Sequence, residues 1–221
     1  AVYQVSSSRD NLEEDYRGYE STGSELTFSD YYNNYIGIRF QNINIPQGAT
    51  ITEAYLEFTA YDTYRYSGAS MQIQAVANDD ADDFYPNYRH QLRDLDKTSG
   101  VTWSMPSFRR YSDYTSPDLS SIVSDIVNRP GWEPGNAMAF VFSDFTSYRG
   151  VYSYNDVPSA APRLVVKFNG NATPGASSTV RELLISKVDE LSASGYTPIV
   201  DTLYEAVNYY GGREVDWGLA R

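Results

Sequence analysis

The sequence predicts a mainly β protein, an antiparallel β-sandwich of jelly-roll type with one covering helix and a C-terminal two-helix segment. In residues 51–61, apolar side chains fall on every second position from Ala54 to Ala60, with tyrosines and polar residues between them. A period of two is typical of a strand with one buried face and one solvated face. Similar short segments follow one another over residues 1–168, separated by irregular polar loops, and this succession is typical of an all-β sandwich.

Short strands are predicted in order along this region. Beside the central strand, they are 2–5, 25–28, 35–41, 71–76, 101–103, 137–143, 150–154 and 163–168. In one of them Ile36, Ile38 and Phe40 share one face, which we expect to lie in the core. Residues 6–15 and 78–83 are rich in Asp and Glu and are predicted to be loops.

One amphipathic helix is predicted over residues 117–129. Its apolar residues recur at helical spacing and are Leu119, Ile122, Val123, Ile126 and Val127. Ser116 is placed to cap the helix, Pro117 suits its first position, and Arg129 with the following proline ends it. We expect the apolar face of this helix to cover the sandwich.

The composition changes after residue 168, so the chain divides into a β-sandwich module, 1–168, and a different C-terminal part. Residues 169–178 are rich in Gly, Ala, Asn and Ser and are predicted to be a linker. Residues 179–221 carry two amphipathic helical patterns, the first of which opens with a capping box from Thr179 to Glu182. Two helices of this length bury no core of their own, so we expect them to need a neighbour.

The composition excludes several classes of partner and chemistry. The chain has 29 acidic and 17 basic residues, and its formal net charge of −12 disfavours phosphate backbones and anionic membrane surfaces. It has no Cys, so disulfides and Cys-ligated zinc are excluded. The longest apolar run, residues 137–142, is too short to insert into a membrane. We therefore expect neither a nucleic-acid partner nor membrane insertion.

Tyrosine is unusually frequent, with 21 residues. Its flat amphipathic ring suits contact surfaces for glycans or other proteins, because it brings a large area at a low entropy cost. The alternative is that the tyrosines fill the edge strands and loops of a polar β protein. Trp103 and Trp132 are candidates for stacking on sugar rings or for the core, and a core position is favoured for Trp132 beside the helix end.

Four carboxylates within six residues make the segment from Asp10 to Asp15 a candidate calcium (Ca2+) site. Calcium takes several oxygen ligands, and Asp10, Glu13 and Glu14 are placed to supply some of them. The alternative is a solvated acidic loop. A second acidic cluster at residues 79–83 lacks the spacing of an EF-hand loop and is predicted to be solvated.

Six motifs, taken in order, carry a resemblance to a known family. They are Arg9-Asp-Asn-Leu-Glu-Glu14, Ile36-Gly-Ile-Arg-Phe40, Ile45-Pro-Gln-Gly-Ala-Thr-Ile51, Ser116-Pro-Asp-Leu-Ser-Ser-Ile-Val123, Asn128-Arg-Pro-Gly-Trp-Glu-Pro-Gly-Asn136 and Ser153-Tyr-Asn-Asp156. With them, residues 6–168 resemble the carbohydrate-binding-module-like β-sandwich of large bacterial surface proteins. The resemblance implies an extracellular or cell-surface location, a glycan or surface ligand, and a structural calcium ion. It implies that Asp156, near the last strands, is the distant calcium ligand beside the N-terminal acidic segment.

The C-terminal part carries a second resemblance, through the motif Ser194-Gly-Tyr-Thr-Pro-Ile-Val-Asp-Thr-Leu-Tyr-Glu-Ala206. It is similar to part of a von Willebrand factor A domain of PilY-type pilus-tip adhesins, in which a Thr after a Gly-rich turn contributes to a divalent-metal adhesion site. Thr197 stands at that place. The D-x-S-x-S loop that the site also requires does not occur in these 221 residues. An ordinary helix N-cap role is therefore favoured for Thr197.

Three functions are compatible with these patterns. The first is a non-catalytic adhesion or binding module of a surface or pilus-associated protein, with Tyr-rich loops as the recognition face and calcium stiffening the scaffold. The second is a structural subunit of an extracellular filament or layer, in which the chain forms a homo-oligomer or a larger assembly with other subunits. The third, an enzyme acting on polysaccharide, is disfavoured: His90 is the sole histidine, and the chain has no G-x-S-x-G or HExxH motif.

Overall fold

A computed structural model describes residues 1–18, 20–21, 23–29, 31, 35–84 and 91–169 of the chain. Within them lie one α-helix, α1 (Ser120–Val127), and one short 3-10 turn, Pro158–Ala160. The strands are β1 (Val2–Gln4), β2 (Asn11–Glu14), β3 (Glu20–Ser21), β4 (Glu25–Phe28), β5 (Tyr35–Phe40), β6 (Thr50–Thr59), β7 (Ala69–Ala75), β8 (Val101–Met105), β9 (Asp113–Thr115), β10 (Met138–Ser143), β11 (Arg149–Tyr152) and β12 (Arg163–Asn169). The predicted mainly β class with a single helix is confirmed for these residues.

The strands form two larger sheets and one small one. The six-stranded sheet has the order β3-β2-β5-β10-β7-β8, and the four-stranded sheet has the order β1-β12-β6-β9. Strands β11 and β4 make a two-stranded sheet. Each of these strand pairs is antiparallel, as the alternation in the sequence predicted.

One hydrophobic core takes residues from both larger sheets. On β6, Leu56 is completely buried, while its neighbours Tyr55 and Glu57 are partly exposed. The predicted inward face of β5, with Ile38 at its centre, belongs to the same core. Phe58 stacks on the ring of Trp103 from β8, at 5.5 Å between ring centres. The alternation of period two therefore assigned these side chains to the correct face.

Helix α1 covers the core as predicted. Its apolar face is buried, and the residues on it are Leu119, Ile122, Val123, Ile126 and Val127. The helix contacts β6 and β7. The amide of Leu119 donates to the carbonyl oxygen of Ala54 at 2.7 Å, which ties the start of the helix to β6.

The predicted start of the helix and its cap are wrong. The helix begins at Ser120, and the residue in the capping position, Leu119, makes no capping hydrogen bond from its side chain. The hydroxyl of Ser116 instead accepts a hydrogen bond from the Leu56 amide at 3.0 Å. Ser116 follows β9 directly, so its hydroxyl lies beside β6 rather than over the helix. Asp118 lies just before the first turn of α1, and its carboxylate accepts a hydrogen bond from the Ser120 amide at 3.1 Å.

The acidic segment near the N-terminus is partly a strand rather than a loop. Strand β2 pairs along β5, with Asn11 opposite Ile38 and Glu14 opposite Tyr35. Its sequence has one apolar residue, Leu12, so the period of two that marks the other strands is missing. Pairing with a buried neighbour decides its conformation.

A second hydrophobic cluster lies on the outer face of the six-stranded sheet. Its members are Leu12, Val76, Ala81, Phe84, Leu92, Ala137, Ala139 and Val141. Phe84 and Leu92 lie so close to β5 that a Cβ atom added at Gly37 would stand 2.6 Å from a Leu92 methyl carbon. Gly37 is therefore required for the close approach of the chain that covers this face.

The C-terminal predictions fall outside the described residues. Asn169, the first residue of the linker predicted at 169–178, is the last residue of β12. The rest of the linker and the helical segment 179–221, with Thr197, lie beyond the part that the structure describes. No helix within the described part is long and apolar enough to cross a membrane.

Candidate functional site

The predicted calcium ligands of the N-terminal segment have protein partners. Asp10 is fully buried, and its carboxylate forms an ion pair with Arg39 at 2.8 Å and accepts from the Gln41 amide group at 2.7 Å. Glu14 is also buried and accepts a hydrogen bond from the Leu92 main-chain amide at 2.6 Å. Glu13 accepts one from the Thr27 amide.

The predicted calcium ligands differ in their positions in the fold. Glu13 and Glu14 are neighbours on β2, so their side chains point to opposite faces of the sheet. Asp156 is exposed in the turn after β11. Among the described residues, no group of three or more His, Asp or Glu side chains is arranged to hold a metal ion. Calcium binding by this segment stays a prediction.

The second acidic cluster, residues 79–83, is held by salt bridges and hydrogen bonds to other segments of the same chain. Asp79 pairs with Arg129 at 2.5 Å, and Asp83 pairs with Arg9 at 2.9 Å. The carboxylate of Asp80 accepts from the Ala137 amide at 2.7 Å. Parts of both acidic segments line a polar cavity of about 360 Å³. Arg39 and Arg9 in its wall pair with Asp10 and Asp83, which indicates a structural role for these two carboxylates.

A surface rich in Tyr and Arg forms where three segments meet, and it is the candidate binding site. The segments are residues 61–66 after β6, 106–111 before β9, and 148–152 around β11, and we call their common surface the Tyr–Arg face. Exposed fractions are 86% for Tyr66, 68% for Tyr111 and 38% for Tyr148. Exposed aromatic side chains of this number on one surface are typical of recognition sites.

Main-chain hydrogen bonds fix the three segments to one another. Tyr64 and Phe108 exchange both main-chain hydrogen bonds at 2.8 Å. The Tyr61 amide donates to the Gly150 carbonyl at 3.0 Å, and the Tyr111 amide donates to Ala60 at 2.9 Å. The tyrosines are thus held on a backbone that is already ordered before any ligand arrives.

One half of the face is a stack of rings. Tyr61 meets Tyr152 edge to face at 5.1 Å, and Tyr111 lies nearly parallel to Tyr152 at 6.1 Å. The guanidinium of Arg110 lies over Tyr111 at 4.7 Å. Tyr111 has a φ of 64°, a left-handed conformation that is uncommon for a residue with a large side chain. Backbone strain of this kind is concentrated at functional sites.

The other half of the face is built over a buried arginine. Arg149 is 2% exposed, and its guanidinium donates to the carbonyl oxygens of Tyr148 at 2.7 Å, of Pro106 and of Tyr66. It also lies 5.6 Å from the centre of the Tyr64 ring. Burial lowers the pKa of this guanidinium. Because its three acceptors belong to all three segments, Arg149 holds the face in shape.

Tyr64 and Tyr148, which belong to the half of the face around Arg149, have hydroxyls that stay protonated at neutral pH. Their rings lie 5.2 Å apart, and the Tyr148 hydroxyl donates to the Glu25 carboxylate at 3.1 Å. Burial is the main cause that raises the pKa of both tyrosines, and the charge of Glu25 adds to it. At neutral pH both therefore present neutral hydroxyls, which donate and accept hydrogen bonds.

Trp103 and Trp132 do not contribute to a surface site. Trp103 is 3% exposed and Trp132 is 1% exposed, and the indole of Trp132 donates to the Ile45 carbonyl at 2.9 Å. Trp132 was predicted to be core, and this is confirmed. For Trp103 the sugar-stacking alternative is wrong.

The number of tyrosines indicated a contact surface without showing which tyrosines form it. The available signal was local: residues 61–66 and 108–111 mix Tyr and Arg densely, and no strand or helix pattern accounts for them. Comparison with known proteins adds no assignment, because no protein-family model and no curated protein matches the sequence.

Proposed function

We propose that this chain is a non-catalytic binding module of an extracellular or cell-surface protein, with a jelly-roll-like β-sandwich that recognises a glycan through the Tyr–Arg face. The observation that carries the proposal is the stack of Tyr61, Tyr152 and the exposed Tyr111 on a fixed backbone. The resemblance of residues 6–168 to carbohydrate-binding-module-like sandwiches supports the same function.

The chemistry of the face suits a sugar. A sugar ring has apolar C–H faces and a rim of hydroxyls, so it needs flat aromatic surface together with hydrogen-bonding groups. Tyr111 supplies exposed ring area, and Tyr148 supplies a hydroxyl next to the Glu25 carboxylate. Because main-chain bonds already order the segments, little conformational entropy is lost on binding.

The test is binding of the full chain to a glycan array, followed by calorimetric titration of the best soluble oligosaccharide. We expect Tyr111→Ala to weaken binding about tenfold or more, because a central aromatic contact of an interface is worth at least about 1.4 kcal/mol. The matched control is Tyr16→Ala, which removes a ring that is 52% exposed but lies on the loop after β2. Equal affinity of the Tyr111 and Tyr16 variants, or no array signal from folded protein, would refute the proposal.

A further inference from the structure

Apart from Arg17, whose guanidinium donates to the Tyr16 hydroxyl at 2.7 Å, the arginines of the described part fall into two groups. One group forms salt bridges with carboxylates of the described residues, and the basic members of these bridges are Arg9, Arg39, Arg93, Arg129, Arg163 and Lys167. Arg65, Arg109, Arg110 and Arg149 have no carboxylate of the described residues within ion-pair distance, and all four lie in the segments of the Tyr–Arg face.

This distribution is unexpected in an acidic protein. The chain carries 29 acidic residues against 17 basic ones, so carboxylates are in excess as partners for arginine. The three segments and the adjoining Glu25 nevertheless hold four arginines and two carboxylates, Asp62 and Glu25. The Tyr–Arg face therefore carries a local excess of positive charge on a molecule whose net charge is −12.

Arg110 is the arginine best placed to meet a ligand. Its guanidinium lies over the rings of Tyr111 and Tyr61, at 4.7 Å and 5.9 Å from their centres. Stacking on a ring covers the flat side of the guanidinium, and its edge interacts with the Tyr152 hydroxyl, so the remaining N–H groups of the edge are the ones that can meet a ligand. That edge is a planar fork which matches a carboxylate or a sulfate in two-point hydrogen bonding. Arg149, in contrast, donates its hydrogen bonds to main-chain carbonyls and is a positioning residue.

We propose that the Tyr–Arg face takes a saccharide that carries anionic groups, carboxylate or sulfate, and that Arg110 is its specificity-determining residue. This inference rests on the proposed function and narrows its ligand class. The aromatic stack holds the sugar, and the unpaired arginines select the anionic one. A single-stranded nucleic acid also combines anionic groups with rings that stack, but the net charge of −12 disfavours a long polyanion.

The experiment is calorimetric titration of the full chain with matched pairs of oligosaccharides. One pair is a galacturonate hexamer and its neutral methyl ester, and the other is a sulfated galactan oligomer and its desulfated form. We expect at least one anionic member to bind about tenfold tighter than its neutral partner, and Arg110→Gln to abolish the difference. Arg110→Lys keeps the charge without the planar fork, so it should restore part of the difference. Arg93→Gln, an exposed arginine outside the face, is the control.

The outcomes separate this inference from the proposed function. Equal binding of anionic and neutral members, with no effect of Arg110→Gln, overturns the anionic preference and leaves glycan binding standing. No binding of any saccharide overturns both. Tighter binding of a single-stranded oligonucleotide than of every saccharide also overturns the inference, because the anion would then belong to a nucleic acid.

Discussion

At the scale of single residues, the ion pair of Asp10 with Arg39 joins the segment before β2 to β5. Asp10 precedes β2 and Arg39 lies on β5, and the carboxylate is fully buried. The guanidinium also donates to the Ala81 carbonyl at 2.7 Å, so the pair anchors the chain that covers the outer face of the sheet. Charges of this kind stabilise a fold only while both partners are present.

Removal of Arg39 should therefore be costly. We expect Arg39→Met to lower the free energy of unfolding by about 3–5 kcal/mol, because it leaves the Asp10 carboxylate buried without its cation. Urea denaturation of the full chain measures this loss. The control is Arg93→Met, which breaks an exposed pair with Asp94 and should cost at most about 1 kcal/mol. Similar costs for the two variants would show that the Asp10 pair contributes no more than a surface pair.

At the scale of elements, the buried face of α1 follows from its local sequence pattern, whereas its first turn depends on contacts with β6. The apolar spacing of α1 placed Ile122 and Val123 in the core, where both are completely buried. The first turn is decided by contacts with β6: Asp118 accepts from the Ala54 amide at 3.2 Å, and Ser116 accepts from Leu56.

Truncation of the buried helix face should destabilise the protein strongly. We expect Ile122→Ala to cost about 2–5 kcal/mol, the range for emptying a buried aliphatic site. Ser121→Ala, at an exposed position of the same helix, is the matched control and should be near neutral. Chemical denaturation of both variants decides the matter, and a loss below about 0.5 kcal/mol for Ile122→Ala would mean that α1 is peripheral to the core.

At the scale of the whole molecule, the distribution of charge separates a scaffold from a recognition face. Acidic residues dominate the chain, and buried or half-buried carboxylates are held by arginines and main-chain amides. Arginines without such partners in the described part gather on the Tyr–Arg face. A structural subunit of a filament or layer stays the alternative function, and electron micrographs of the purified chain test it.

Thermal unfolding of the whole domain tests whether it binds calcium. If the acidic segment binds calcium, mass action stabilises the folded state by about 2.7 kcal/mol at one hundred times the dissociation constant. The unfolding midpoint should then rise in millimolar calcium relative to chelator, and Glu14→Gln should remove the rise. An unchanged wild-type midpoint would show that Arg39 and the main-chain amides already satisfy these carboxylates.

Features that depend on neighbours along the chain could be predicted from the sequence. A strand repeats its environment every second residue, so the alternation around Leu56 identified both the strand and its buried face. The helical spacing from Leu119 identified the covering helix for the same reason. These local patterns are sufficient for the mainly β class and for much of the core.

Features that depend on contacts between residues far apart in the chain could not be predicted from the sequence. The strand β2 lacks a local pattern because β5 and the cluster around Leu12 impose its conformation. The partner of Asp10 is Arg39, so carboxylates that looked like metal ligands in the sequence lie in ion pairs and hydrogen bonds. The Tyr–Arg face exists only because the hydrogen bonds of Tyr64 with Phe108 and of Tyr61 with Gly150 join three distant segments, and such pairings leave no period in the sequence.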